Sequence, residues 1–149
     1  MSMSEYDRNW CDKTLTDFVK WTLTVPFRAP VDPIRDGAEH YLDIIKKPMD
    51  FGTMRKKLNE NQYADVKEFV ADVHLICDNA TKFNGDNSMY AFMASDIAKR
   101  IDEKFKEKPT SLEDEWQKRL ENVVNRLHEH VAKAPPPISN NETEAKPSV

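Results

Sequence analysis

Apolar residues recur every three or four positions through much of this chain, and the longest series lies between Asp65 and Phe105. Val66, Phe69, Val70, Val73, Ile76, Cys77 and Ala80 make one run; Met89, Met93, Ile97, Ile101 and Phe105 make the next. Such steps collect side chains on one face of an α-helix, whereas a strand would alternate every second residue. Two long amphipathic helices are therefore predicted, joined by the turn Asn84-Gly85-Asp86-Asn87. Asp65 with Glu68 three residues later has capping-box spacing, which satisfies backbone N–H groups at a helix start. Upstream, Leu15, Phe18, Val19 and Leu23 predict a first helix over Cys11 to Leu23, ended by Thr24-Val25 and Pro26. Asp50 caps a short helix from Phe51 to Leu58, with Met54 and Leu58 on its inner face, and a polar turn over 59–64 leads into the long helix.

The period fails between Pro26 and Pro48, where Pro26, Pro30, Pro33, Gly37 and Pro48 punctuate the chain. Proline fixes φ, donates no N–H and pushes the preceding residue toward extended geometry. Unstructured connections this long in small domains are usually functional or disordered. Phe27, Val31, Ile34, Tyr41, Leu42, Ile44 and Ile45 are threaded through this one, so it is expected to pack on the body as an ordered binding loop.

The fold class expected is all-α, a four-helix bundle with a long crossover between helices 1 and 2. Past Pro109, Ser111 caps a further helix whose stripe is Leu112, Trp116, Leu120, Val123, Val124, Leu127 and Val131. That stripe either folds back on the bundle or serves as a homodimer or partner-binding helix over 111–132. Ala134 to Val149, with Pro135-Pro136-Pro137, reads as a disordered Pro-rich tail and suggests a piece of something longer. Met1-Ser2-Met3-Ser4 is left outside the fold. The expected organisation is thus a disordered N-terminus over 1–9, the bundle over 10–108, the added helix over 109–133 and the tail over 134–149.

Composition narrows the function. The 149 residues are 39% hydrophobic and 32% charged, with a net charge of −4 that argues against nucleic acid as the main partner. Lys46, Lys47, Arg55, Lys56 and Lys57 form a local basic patch, a solvated face or a weak contact to DNA. Cys11 and Cys77 are the only cysteines, fall in no metal-binding spacing and point to a reducing compartment. His128 and His130 stand two apart and face different sides of a helix, and His40 has no evident partner. No apolar run approaches the roughly 18 residues that span a membrane. No nucleophile–base pair, paired-carboxylate spacing or phosphate loop is found, so no enzyme and no cofactor are expected.

One constellation invites a ligand. A buried amide such as Asn84 offers both donor and acceptor, while Phe83, Tyr90, Phe27, Val31 and Tyr41 supply apolar walls. Such a site suits an acylated lysine, which is neutral, carries one carbonyl and one N–H, and has methylenes that favour an apolar sleeve. A free lysine would bury an unpaired ammonium. Taken alone, Asn84-Gly85 reads more readily as an ordinary helix C-cap and turn than as a binding site. Met49, Met54 and Met93 suit core packing, with Met49 also able to line a pocket floor.

Two segments go further. Tyr41-Leu42-Asp43-Ile44-Ile45-Lys46-Lys47-Pro48-Met49-Asp50-Phe51-Gly52-Thr53-Met54 closely resembles the bromodomain signature. So does Asp72-Val73-His74-Leu75-Ile76-Cys77-Asp78-Asn79-Ala80-Thr81-Lys82-Phe83-Asn84, with Met93-Ala94 following at the right distance. The resemblance covers residues 11 to 108 and is nearest in wording to the bromodomain and extra-terminal (BET) class. It implies a left-handed four-helix bundle that recognises acetyl-lysine on histone tails and other acetylated nuclear proteins, in the nucleus.

Carried over by position, the resemblance makes Asn84 the amide that binds the acetyl carbonyl and Tyr41 the tyrosine that reaches it through water. Pro26 and Phe27 match the end of a Trp-Pro-Phe shelf, and Val31 matches the wall facing the acetyl methyl. Val25 stands where the shelf has tryptophan, Phe83 where a tyrosine is usual, and Ala80 where cysteine is common. Asp36 and Ala38 replace BET leucines, which makes that side of the loop more polar, and Tyr90 at the gatekeeper position narrows the entrance. The alternative is an architectural interaction domain with a degenerate pocket, associating through the 111–132 helix.

Overall fold

In a computed structural model, which describes residues 3–133, the chain is all-helical and divides after Lys108 into two units. The elements of the first are α1 (Glu5–Lys20), a 3-10 turn (Thr22–Phe27), α2 (Tyr41–Ile44), α3 (Phe51–Asn59), α4 (Val66–Asn84) and α5 (Met89–Glu107). Helix α6 (Leu112–Lys133) forms the second. Among the described residues there is no strand, and no helix is long and apolar enough to cross a membrane.

Helices α1, α3, α4 and α5 form the expected four-helix bundle. Every residue predicted for the inner face of α4, from Val66 to Ala80, is buried. They meet Leu15 and Phe18 of α1, Phe51, Met54 and Leu58 of α3, and Ala94, Ile97 and Ile101 of α5. The caps were legible too: Asp50 accepts the Thr53 N–H at 2.9 Å, and Asp65 accepts the Glu68 N–H at 2.9 Å. Glu68 in turn accepts the N–H of Ala64, one residue earlier than a strict capping box requires.

Several expectations are corrected. Helix α1 starts at Glu5, not Cys11, because Ser4 Oγ accepts the Asp7 N–H at 3.2 Å and caps it. Met3 packs on the core and Trp10 meets Phe69 edge-on, so residues 3–9 belong to the bundle and not to a disordered lead. At its other end α1 stops at Lys20, where the fully buried Thr24 directs its hydroxyl at the carbonyls of Phe18 (2.6 Å) and Trp21 (2.7 Å). The 59–64 turn carries a core aromatic, Tyr63, whose hydroxyl donates to Asp72 at 2.7 Å. On α5, Met89 and Phe105 are exposed, and Ala91 and Ala94 take the inner face with Ile97 and Ile101. Of the apolar loop residues, Tyr41 and Ile45 are buried, but Ile34, Leu42 and Ile44 face outward.

Ion pairs close the bundle. Lys108, at the end of α5, reaches Asp7 of α1 at 2.6 Å and lies over the rings of Tyr6 and Trp10. Helix α6 is capped at Ser111, whose Oγ accepts the Asp114 N–H at 3.1 Å, and none of its residues is buried. The tail predicted over 134–149 lies outside the described residues.

Candidate functional site

A cleft of about 480 Å³ opens between the segment from Val25 to Tyr41 and the junction of α4 with α5. Its outer wall is built by short-range geometry. The 3-10 turn brings Pro26 and Phe27 forward, and the next carbonyl, that of Arg28, accepts the Gly52 N–H at 3.1 Å. A Cβ at Gly52 would stand 2.8 Å from that oxygen, so the approach needs a residue without a side chain. The Arg28 guanidinium donates to the Trp21 carbonyl at 3.0 Å and to the Thr24 hydroxyl at 3.4 Å, which ties the wall to the end of α1.

Farther along, Asp32 accepts the N–H groups of Ile34 (3.0 Å) and Arg35 (3.2 Å), an Asx-type turn. Asp36 accepts the Asp32 N–H and pairs with Arg35, at 2.9 Å each. These hydrogen bonds, Arg35 first, hold the Asp36 carboxyl down at about 2. Gly37 then takes φ +66° and His40 φ +62° before α2 begins. The expectation that His40 lacks a partner is corrected, since its Nδ1 lies 3.1 Å from Asp43. From below, buried Asn79 donates its amide to the Lys47 carbonyl at 2.8 Å and fixes the run into Met49.

Into this frame α2 sets Tyr41 against Phe83, ring edge to face, with centroids 4.9 Å apart. Burial, and then the negative charge of Asp50, raise the Tyr41 hydroxyl above its ordinary pKa, so it stays an O–H donor. Asn84 ends α4, and one of its amide hydrogens goes to the Ala80 carbonyl at 2.9 Å. An amide has a second N–H and an oxygen, and the rotamer is set by the first bond. Asn84 was expected to be buried; it is exposed, because it stands on the wall of an open cleft beside Gly85, which turns the chain at φ +89°.

Pro26, Phe27, Val31, Met49, Ala80, Phe83 and Tyr90 all line the cleft, and Tyr90 is 44% exposed. The residues singled out from the sequence thus share one space with Tyr41 and Asn84. So do Val25, Asp36 and Ala38, the positions of departure. Sequence reasoning missed Arg28, Ala29, Arg35 and Gly37, and placed Ile76 only in the core. No local pattern marks these, apart from the glycine.

The remaining candidates lie elsewhere. Arg55 pairs with Asp12 and Lys57 with Asp72, so two cations of the basic patch are already engaged. Burial pushes the thiols of Cys11 and Cys77 up to about 12 each, far from a reactive thiolate.

Residues 11–96 match the bromodomain family model. The chain belongs to the bromodomain family. It is 38% identical over 104 residues to an ankyrin repeat, bromo and BTB domain-containing protein of Dictyostelium discoideum, covering 70% of this chain and 13% of the relative. It is 37% identical over 86 residues to transcription factor GTE1 of Arabidopsis thaliana, 58% of this chain and 22% of the relative. It is 32% identical over 136 residues to the SWR1 complex bromodomain subunit bdf1 of Schizosaccharomyces pombe, 91% of this chain and 23% of the relative. The chain therefore spans under a quarter of the length of each of these relatives. Bromodomains are acetyl-lysine reader modules of chromatin and transcription proteins.

Proposed function

We propose that this bromodomain binds acetyl-lysine on histone tails, or on other acetylated nuclear proteins, and acts in the nucleus as a reader without catalysis. Asn84 anchors the acetyl carbonyl with its second amide N–H, and Tyr41 reaches the same oxygen through water. Phe27, Val31, Phe83 and Tyr90 sleeve the methylenes, with Pro26, Ala80 and Met49 completing the walls. The observation that carries this reading is the shared cleft: the Asn84 amide and the un-ionised Tyr41 phenol share it with the apolar side chains of Phe27, Val31, Met49, Ala80 and Phe83, while Arg28, Arg35 and Asp36 also line it. A neutral amide on an apolar stem matches that lining, whereas a lysine ammonium would have to lose its water for Asp36, a carboxylate already satisfied by Arg35.

Titration of the full chain with acetylated and unmodified histone-tail peptides, beside Asn84→Ala, tests it. Loss of the anchoring hydrogen bond is expected to weaken acetyl-dependent binding about 5- to 150-fold, since an unpaired buried acetyl carbonyl costs about 1–3 kcal/mol. Binding indifferent to acetylation, or unchanged in a folded Asn84→Ala, would overturn the reading and favour the architectural alternative. Exposed Lys46, Lys47 and Lys56 would add a salt-dependent contact to nucleosomal DNA.

A further inference from the structure

Helix α6 carries a feature that the pocket does not use. Leu112, Trp116, Leu120, Val123, Leu127 and Val131 form one stripe along it, each between 58% and 72% exposed. A contiguous apolar surface of this size on a helix marks an interaction face. Its spacing in sequence is four, four, three, four, four, which reads the same from either end.

That symmetry selects a partner. If a second α6 lies alongside in the opposite direction, Leu112 comes level with Val131, Trp116 with Leu127 and Leu120 with Val123, twice over about a two-fold axis. An interface between identical chains must be self-complementary, and this stripe is. A parallel pair would instead set Trp116 beside Trp116. The charges point the same way. The first turn holds Glu113, Asp114 and Glu115, whereas Arg126, His128, His130 and Lys133 with the single acid Glu129 occupy the last two turns. Antiparallel packing lays acidic ends beside basic ends and opposes the two helix dipoles. The six side chains offer on the order of 700 Å² of surface per copy, close to the roughly 800 Å² per partner of a stable interface.

We infer that α6 is an antiparallel self-association helix whose occupant is the α6 of a second copy of this chain. The assembly then holds two clefts, a consequence for bivalent binding that rests on the reader function, whereas the pairing itself does not.

Sedimentation of the full chain, without peptide, across a dilution series from low micromolar to low millimolar reads the mass against the 17.3 kDa monomer. A reversible monomer–dimer equilibrium is expected, abolished by Leu120→Glu and separately by Val123→Glu, with the far-UV helix signal of the bundle retained. The direction is read by oxidation: the double variant Leu112→Cys with Val131→Cys should crosslink to a covalent dimer, and either single variant should not. Those positions lie about 28 Å apart on one helix, too far to bridge within a chain, and Cys11 and Cys77 are buried. A monomer throughout, a dimer that survives both glutamate variants, or crosslinking by the single variants would overturn the inference. None of these readouts depends on acetyl-lysine, so failure here and failure of the reader function are separable.

Discussion

Gly52→Ala sets two effects of opposite sign against each other at the wall of the pocket. Gly52 lies in the first turn of α3, and its φ is not positive, so an alanine there would be easily accommodated by the backbone. Helix propensity and loss of unfolded-state freedom would together stabilise the variant by about 1 kcal/mol. Against this stands the Arg28 carbonyl, 2.8 Å from where the Cβ must go, with Asp50 Oδ2 at 2.9 Å on another side. Neither neighbour is the loose end of a flexible side chain. The carbonyl is backbone held by the Gly52 N–H, and the carboxylate caps α3 through Thr53. Overpacking of this kind costs about 1–3 kcal/mol, and the shift also stretches two hydrogen bonds worth about 1 kcal/mol each. The net expectation is destabilisation by about 1–3 kcal/mol, a fall in Tm of roughly 3–10 °C. Thermal and urea unfolding measure it, and amide shifts at Arg28 and Ala29 should move more than those of α5. A Gly52→Ala variant as stable as the parent would refute the claim that this close approach positions the wall.

Further consequences are open to direct measurement. Asn79→Ala strips the Lys47 carbonyl of its buried donor and should cost about 1–3 kcal/mol in urea unfolding, and Asn79→Asp, which presents an acceptor instead, should cost more. The Asp36 carboxyl should titrate near 2 by NMR and return toward its ordinary 3.8 in Arg35→Gln. Because folding depresses that pKa, the stability it contributes is complete above about pH 4 and fades as pH falls through about 2, so the 32–36 turn should loosen only in strong acid. With both thiols held near 12 by burial, Cys11 and Cys77 should resist alkylation at pH 8 in the native chain and both react in denaturant. Rapid native modification of either would contradict the burial.

The course of α4 and the caps at Asp50, Asp65 and Ser111 were legible in the sequence because they depend on residues within a turn or two of each other. The motif around Asn84 could likewise be matched by spacing alone. Tertiary structure decided which apolar residues find cover. Met89, Phe105 and Ile34 carry the same local signal as Ile97 and Ile45, yet stay exposed, because burial depends on what another segment brings against them. It also decided that α1 extends back to Ser4, where Met3 and Trp10 find the core and Lys108 finds Asp7, more than a hundred residues away in sequence. The pocket wall is of the same kind: Arg28 meets Gly52, Asn79 meets Lys47, and Tyr41 meets Phe83. Periodicity and capping are properties of neighbours along the chain and can be read from it. A wall made of pairs some twenty to forty residues apart exists only once the bundle has closed and the free energy of burying its core has offset the chain entropy lost in joining them.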